Sequence, residues 1–504
     1  MKPFYAPLFE ALINHSRSAP AGFHVPGHHY GDALKLEIKH TDSGYEPDKW
    51  YSAIMKLDVT ELSSTDDLHH PEAAILEAQR LAADTFGAEE TFFLVGGSTS
   101  GNIALLLTVC EPNDIIIVQR NVHKSIINGL KLAGAKAVFL SPQIEEKAGL
   151  AIVPSLEQVE KALRLYPDAK AVFLSNPNYY GMSADLTPFV ELIHQHGKPL
   201  LVDEAHGAHY GFHQELPRSG LAAGADAVVQ SAHKTLPALT MGAMLHVQGS
   251  RIQRELLRQS LAMIQSSSPS FPILASLDIS RAMIDTLGAK LFKQSLASAA
   301  SFRTWMKLHS TAIQVLEWSS IEDTRCLHFK DPLRVIIYDK SGRMSGFELQ
   351  RLLEQYGCFS EMADPRYVVL VFGIQTSLED TLKLQYAIKI IDGYAIEQAD
   401  AAQNEQNTLI PTFLPESEVM AISEPVSFAR ERFKNKNSIR VGLGNAEQLI
   451  AAEMVTPYPP GIAILYPGEK ITAAIINQIQ RLSASGAKFQ GAVDPTMSTI
   501  AVFS

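Results

Sequence analysis

The sequence predicts an α/β protein. Its largest unit is a doubly wound, mostly parallel sheet, followed by a small α+β domain and a C-terminal α+β unit. Three observations predict this class. Short apolar strands recur at TFFLV (91–95), DIIIV (114–118), KAVFL (136–140), KAVFLS (170–175), KPLLVD (198–203) and DAVVQS (226–231). They lack internal polar alternation, so both faces are buried, as in a parallel sheet covered by helices. Helical stretches lie between them, near 100–110, 123–133, 155–165, 185–196 and 215–223. The length of 504 residues also exceeds one ordinary core and calls for two or three domains.

In chain order, residues 1–70 form an irregular N-terminal arm with Pro20, Pro26, Gly27, Gly31, Gly44 and Pro47. The large α/β domain spans 71–290. It opens with a helix in which Ile75, Leu76, Ala82, Ala83 and Phe86 recur at helical spacing, and Gly87 stops it. A long helix over 274–310 leads into the small domain, 291–394. That domain holds a strand at 333–339, a helix at 346–357, a strand at 367–373 and a helix at 377–391. The polar stretch 395–409 reads as a linker. The rest of the C-terminal unit, 395–504, contains TPYPPGIAILYPGE (456–469), another helix and a closing strand.

Composition narrows the function. The 43 basic and 54 acidic residues give a formal net charge of −11. This argues against a protein built to coat nucleic acid or anionic lipid. Charged residues are only 19% of the chain, below the roughly 25% usual in soluble domains, which fits a large chain or one that buries surface in an oligomer. Cys110, Cys326 and Cys358 form no CxxC and are too few for a disulfide framework. No apolar run approaches the ~18 residues of a membrane helix, and the N-terminus lacks a signal-peptide core. The expectation is a cytoplasmic enzyme with room for a cofactor.

Ligands of open parallel sheets bind beyond the carboxyl ends of the strands. Four such ends carry chemistry. Strand 91–95 runs into Gly96-Gly97-Ser98-Thr99-Ser100-Gly101-Asn102, a loop and helix N-terminus suited to phosphate. It is neither a Walker A loop nor GxGxxG. Strand 198–203 ends in Asp203-Glu204-Ala205-His206-Gly207-Ala208-His209, which places an acid at the sheet edge. A metal on His206 and His209 lacks a third ligand by spacing, so no metal is expected. Strand 226–231 ends in Ser231-Ala232-His233-Lys234, and a desolvated lysine favours a Schiff base. Strand 114–118 is followed by Gln119-Arg120-Asn121-Val122-His123, whose histidine suits stacking on a planar ligand. Singly, each has an ordinary reading as a capped turn, a surface lysine or a helix cap. Together they describe a pyridoxal 5'-phosphate (PLP) site, in which the acid keeps the pyridine nitrogen protonated.

The sequence also resembles the fold-type I PLP-dependent Orn/Lys/Arg decarboxylases, in particular their shorter bacterial branch. The resemblance rests on FHVPGHHYG (23–31), LSSTDDLHHPEAAILEAQ (62–79), TFFLVGGSTSGN (91–102), RNVHKSI (120–126), VDEAHGAHYGFH (202–213), SAHKTLPALTMGA (231–243) and TPYPPGIAILYPGE (456–469). It implies a PLP-dependent transferase-like fold with a seven-stranded sheet. It also implies Lys234 as the PLP lysine, Asp203 at the pyridinium nitrogen, and His123 and Ala205 on the two ring faces. Ser98, Thr99, Ser231 and His233 would hold the phosphate, with Ser100 nearby. His206 would reach the ring or the substrate carboxyl. Glu361, then Asp364, would meet the distal cation of the substrate. Met241 departs from the Gln of SLTQ-type sequences.

The implied reaction is decarboxylation of a basic amino acid, first arginine to agmatine, in polyamine synthesis. Lysine and ornithine are alternatives. Another PLP enzyme, an aminotransferase or lyase, and a non-catalytic PLP- or amino-acid-binding regulator are readings from other classes. The resemblance further implies at least a homodimer. It also implies that the receiver-like wing supporting decamers in longer relatives is absent.

Overall fold

The computed structural model describes residues 2–36, 46–145, 148–317, 328–401, 421–428, 437–458, 463–484 and 486–504. Its centre is an eight-stranded sheet. The spatial order is Glu90–Leu94, Ala243–Val247, Ala227–Gln230, Leu200–Asp203, Val172–Ser175, Ile115–Gln119, Lys136–Leu140 and Val426–Ser427. From Ala227–Gln230 to Lys136–Leu140 every pairing is parallel. Ala243–Val247 runs antiparallel to both neighbours. The large unit thus contributes the seven expected strands, and Val426–Ser427 adds an eighth from the C-terminal region.

The apolar-run criterion finds six of these strands and overlooks Ala243–Val247. That strand carries His246 in its middle, which disguises it as a polar segment. His246 is buried between Thr91 (2.8 Å to Oγ1) and Gln230 (3.1 Å to Oε1). Burial lowers its pKa to about 3, so it is a neutral hydrogen-bonding residue inside the sheet.

Two apolar layers cover the faces of the sheet. One packs Leu105, Ile126 and Leu130 against Val118 and Phe173. The other packs Val159, Phe189 and Ile193 against Leu174 and Val202. The helix Gly97–Val109 approaches the sheet closely. A Cβ at Gly101 would meet Leu94 Cδ1 at 2.8 Å and Val229 Cγ1 at 3.0 Å. This approach brings the helix N-terminus to the carboxyl edge of the strands.

The long helix expected over 274–310 is two helices, Phe271–Leu287 and Lys293–His309, joined by a 3-10 turn at Gly288–Phe292. Gly288 sits at φ +53°, a conformation that ends the first helix. The arm expected to be irregular contains the helices Pro7–Arg17 and Pro47–Met55. The first is anchored by buried Asp278, which accepts from the amides of Leu8 (2.9 Å) and Phe9 (3.3 Å) and from Arg281 (2.6 Å). The expected linker is helical as far as Ala401, in Leu378–Ala401, and its remainder lies outside the described residues, as does Cys326.

A four-stranded antiparallel sheet forms the small unit, in the order Ile313–Val315, Arg334–Asp339, Val368–Val371, Met362–Ala363. It packs on the large unit where Tyr180 and Met182 meet Ile336, Met362 and Val369. The C-terminal unit has its own core around Val455, Leu465, Ile479 and Val502. It docks on the large unit through the YPGE end of the 456–469 motif. Arg120 donates two hydrogen bonds to Glu469, at 2.7 and 2.9 Å. The Tyr466 ring stacks on Phe139 at 4.6 Å, and its hydroxyl donates to the Arg120 carbonyl at 2.8 Å.

Both members of the Arg120–Glu469 pair are largely buried, so removing one strands the other's charge. Glu469→Ala is expected to cost about 2–5 kcal/mol of docking free energy. Limited proteolysis should release the C-terminal unit faster, and its thermal midpoint should fall. An unchanged cleavage rate would assign the docking to the apolar contacts instead.

Candidate active site

The carboxyl edge of the sheet opens into a cavity of about 270 Å³. Ser98, Asn121, His123, Ser175, Asp203, Ala205, His206 and Lys234 line it from the large unit, and Ile464, Ile475 and Gln478 from the C-terminal unit. Residues from five strand ends therefore meet in one place, as parallel pairing requires.

Asp203 ends its strand buried. Its Oδ2 accepts from Asn102 Nδ2 at 2.9 Å and its Oδ1 from the Ala205 amide at 3.1 Å. Asn102 also donates to Ser125 Oγ at 3.0 Å, and that oxygen lies 2.9 Å from His123 Nδ1. His123 caps the helix Lys124–Ala133 and accepts the Ser125 amide at Nδ1. Burial lowers the His123 pKa against the pull of Asp203, so the ring is neutral with its proton on Nε2.

Lys234 follows the strand Ala227–Gln230, inside the short helix Ala232–Thr235. Its nitrogen lies 2.9 Å from His206 Nε2 and 5.7 Å from the Tyr179 ring centre. Desolvation lowers its pKa below the ordinary lysine value. Asp203 and Glu361 oppose that shift, and Arg334 adds to it. His206 is buried, with its ring 4.4 Å from that of Tyr179, and burial and the surrounding cations hold its pKa well below the ordinary value.

Two loops at this edge of the sheet are tied together. Gly97, at φ +72°, donates its amide to the Met241 carbonyl at 2.9 Å. Met241 holds φ +75°, and its side chain is half exposed. Nothing in the structure explains Met in place of Gln at this position. His233 Nδ1 lies 3.0 Å from the Gly242 carbonyl.

Four buried polar atoms have no hydrogen-bond partner in the protein, two on residues that line the cavity, Asn121 Oδ1 and Ser175 Oγ, and two beside it, Ser231 Oγ and Asn102 Oδ1. Buried polar atoms are nearly always bonded, so this concentration fits a polar ligand that supplies the missing partners. A ring with a phosphate at one end and a basic nitrogen at the other matches the donors and acceptors present.

The structure brings Ser98, His123, Asp203, Ala205, His206 and Lys234 together around the cavity, whereas Ser231 and His233, in the same loop as Lys234, do not line it. Thr99 is exposed on the first turn of its helix, and the Ser100 hydroxyl is committed to the Gly97 carbonyl at 2.8 Å. Glu361 is exposed and does not line the cavity, yet its charge acts on Lys234 and His233. Asp364 is placed otherwise than expected. It is fully buried and accepts from Tyr180 Oη at 2.5 Å and from the amides of Arg366 and Tyr367 at 2.6 Å each, so its carboxylate serves a turn. Glu204 points into the protein, where it accepts from the Gly220 amide and Gln230 Nε2 at 2.6 Å each. Among the described residues no cluster of three or more ligating side chains suits a metal.

Four residues escape sequence reasoning. Asn102 and Ser125 stand inside motifs already singled out, and a partner for a buried Asp203 would have pointed to them. Tyr179 follows the strand Val172–Ser175, where the strand-end criterion applies equally. Arg334 opens a strand of the small unit and carries no local signal.

The comparisons with known proteins agree with this geometry. Residues 6–380 match the family described as Orn/Lys/Arg decarboxylase, major domain, and residues 414–494 its C-terminal domain. The chain is 39% identical over 486 residues to the uncharacterized protein YaaO of Bacillus subtilis, covering 96% of each. It is 33% identical over 503 residues to an arginine decarboxylase of Bacillus anthracis, covering 100% of this chain and 98% of the relative. The fold superposes on the lysine decarboxylase LdcF of Francisella novicida with a TM-score of 0.82 at 19% identity, over 99% of this chain and 81% of the other.

Burial raises the Glu204 pKa from 4.5 to about 8. Between those values the folded state binds the extra proton, so stability falls as pH rises through the window. Glu204→Gln, neutral throughout, is expected to gain on the parent between about pH 5 and about pH 8. Paired urea unfolding at the two values measures this, and an equal gap at both would show an ionised Glu204 in the fold. With major-domain and C-terminal matches in register and full-length relatives above 30% identity, this chain belongs to the Orn/Lys/Arg decarboxylase family.

Proposed function

We propose that the protein removes the α-carboxyl group of a basic L-amino acid, arginine first, using PLP carried on Lys234. The observation that supports this most is the desolvated Lys234 amine sharing a cavity with Asp203, a buried carboxylate pinned by two N–H donors. Asp203 would pair with the ring nitrogen, His123 and Ala205 would flank the ring, and Ser98, Ser231 and His233 would take the phosphate with the helix N-terminus at Gly97. When bound, the cofactor supplies an electron sink for the pair left by the departing carboxylate.

The residues of the chain do the rest. Lys234 gives up its place to the substrate amine and stands ready, with His206, to return a proton to the α-carbon. The mostly apolar cavity walls exclude water, which favours loss of the charged carboxylate. Glu361, exposed outside the cavity lining but acting by charge on Lys234 and His233, would meet the distal cation of the substrate. Relatives named arginine decarboxylase match over nearly the whole chain, which supports arginine. Lysine comes second, since relatives named lysine decarboxylase match less closely. With arginine as substrate, the proposal places the protein in polyamine synthesis.

The reading also includes a homodimer. Phe23, Val25, Trp50 and Tyr51 of the N-terminal arm are exposed, as an arm that packs on a partner would be. A cytoplasmic setting accords with the free thiols Cys110 and Cys358 and with the finding that no described helix is long and apolar enough to cross a membrane.

Release of CO2 from arginine, lysine and ornithine, assayed in parallel with added PLP, tests the reading. Agmatine from arginine is expected, whereas cadaverine would move the assignment to lysine and an oxo acid would indicate an aminotransferase. Lys234→Ala should lose both turnover and the visible absorbance of lysine-bound cofactor. Glu361→Gln should raise KM for the preferred substrate about tenfold with a smaller change in kcat, and an unaltered KM would remove Glu361 from substrate binding.

A further inference from the structure

Arg334 is a buried cation that the proposed reaction does not use. It opens the strand Arg334–Asp339 of the small unit, yet its guanidinium enters the large unit and places Nη2 3.0 Å from His206 Nδ1. The position is held from several sides. Arg334 Nε lies 3.9 Å from Asp331 Oδ2, and the same fully buried carboxylate is 2.9 Å from His209 Nε2. Gly181, at φ +76°, leaves the room required, since a Cβ there would sit 2.6 Å from Arg334 Cγ. Arg303 donates to the Arg334 carbonyl at 2.8 Å.

The proton inventory follows from donor chemistry. A guanidinium only donates, because it has no free lone pair. His206 Nδ1 must therefore accept, and the hydrogen of the neutral ring sits on Nε2. That N–H faces Lys234 Nζ at 2.9 Å. Lys234 must then accept, and an amine accepts only when uncharged. The opposite tautomer would set the Nδ1 hydrogen against an N–H of the guanidinium and leave both buried donors unsatisfied.

We propose that Arg334 is a positioning residue that acts through His206 to hold Lys234 as a neutral amine, ready to condense with an aldehyde. This deepens the reading of Lys234 as the cofactor lysine and rests on it. In the condensation the lysine lone pair forms the C–N bond, and the aldehyde oxygen leaves as water with the two amine hydrogens. The groups facing Lys234 divide by sign. Asp203 and Glu361 favour the ammonium form; Arg334, the His206 N–H and desolvation oppose it, and His123 and His233 act on His206.

The test uses the full-length protein freed of cofactor. Amine-selective labelling of Lys234, followed by mass spectrometry across pH, reads the neutral fraction directly. In Arg334→Gln the amide oxygen can accept from Nδ1–H, which reverses the tautomer and lets Lys234 take a proton. The proposal expects Lys234 labelling near neutral pH to fall about tenfold in Arg334→Gln, the factor carried by one unit of pKa, and to recover as pH rises. Arg334→Lys, still an obligatory donor, should keep the parental profile. Superimposable parent and Arg334→Gln profiles would overturn the proposal.

Should Arg334→Gln fail to fold, ring-nitrogen NMR of histidine-labelled parent protein decides, with His206→Gln assigning the resonance. A hydrogen on Nε2 supports the proposal and one on Nδ1 refutes it. Failure of the cofactor reading is separate. It shows as no visible absorbance when PLP is added to the parent, whatever the labelling profile.

Discussion

Everything at this site depends on the parallel pairing of five strands, which sends their carboxyl ends to one edge of the sheet. Parallel strands are connected by crossovers, so every loop that leaves this edge comes from a different part of the chain. Asp203 and the loops holding His123 and Lys234 meet there for that reason alone. The antiparallel Ala243–Val247 completes the edge from the other direction, because its leading residues Met241 and Gly242 arrive where the neighbouring strands end.

Burying so many polar groups at one edge is costly unless each has a partner. The protein meets this demand with short relays. Asp203, Asn102, Ser125 and His123 form one, and Asp331, Arg334, His206 and Lys234 form another. In the first relay Asn102 donates to both Asp203 and Ser125, and in the second the Arg334 guanidinium, beside Asp331, can only donate to His206. Some buried atoms at or beside the cavity, such as Asn121 Oδ1 and Ser175 Oγ, are left without a partner in the protein. The C-terminal unit belongs to the same construction. It contributes a wall of the cavity, and its Glu469 grips Arg120, three residues before His123.

Much of the fold was legible in the sequence. Buried strands of a parallel sheet are continuous apolar runs, and six of seven declared themselves that way. His246 hid the seventh because its imidazole is satisfied inside the sheet, a fact set by residues 155 and 16 positions away. Gly288 broke a helix that apolar spacing alone would have continued. Of the site, Lys234 and Asp203 were legible because each sits directly after a strand. Asp364 looked available for substrate, but its carboxylate accepts from the amides two and three residues further on.

The sequence by itself determined the class of fold, the order of its strands along the chain and the motifs at their ends. These depend on apolar runs and turn residues a few positions apart. Only the tertiary structure decided which atoms meet. Arg334 reaches His206 across 128 positions and Glu469 reaches Arg120 across 349. No local propensity encodes such distances. They are fixed by packing three units together and by the requirement that a charge removed from water finds an opposite or accepting partner.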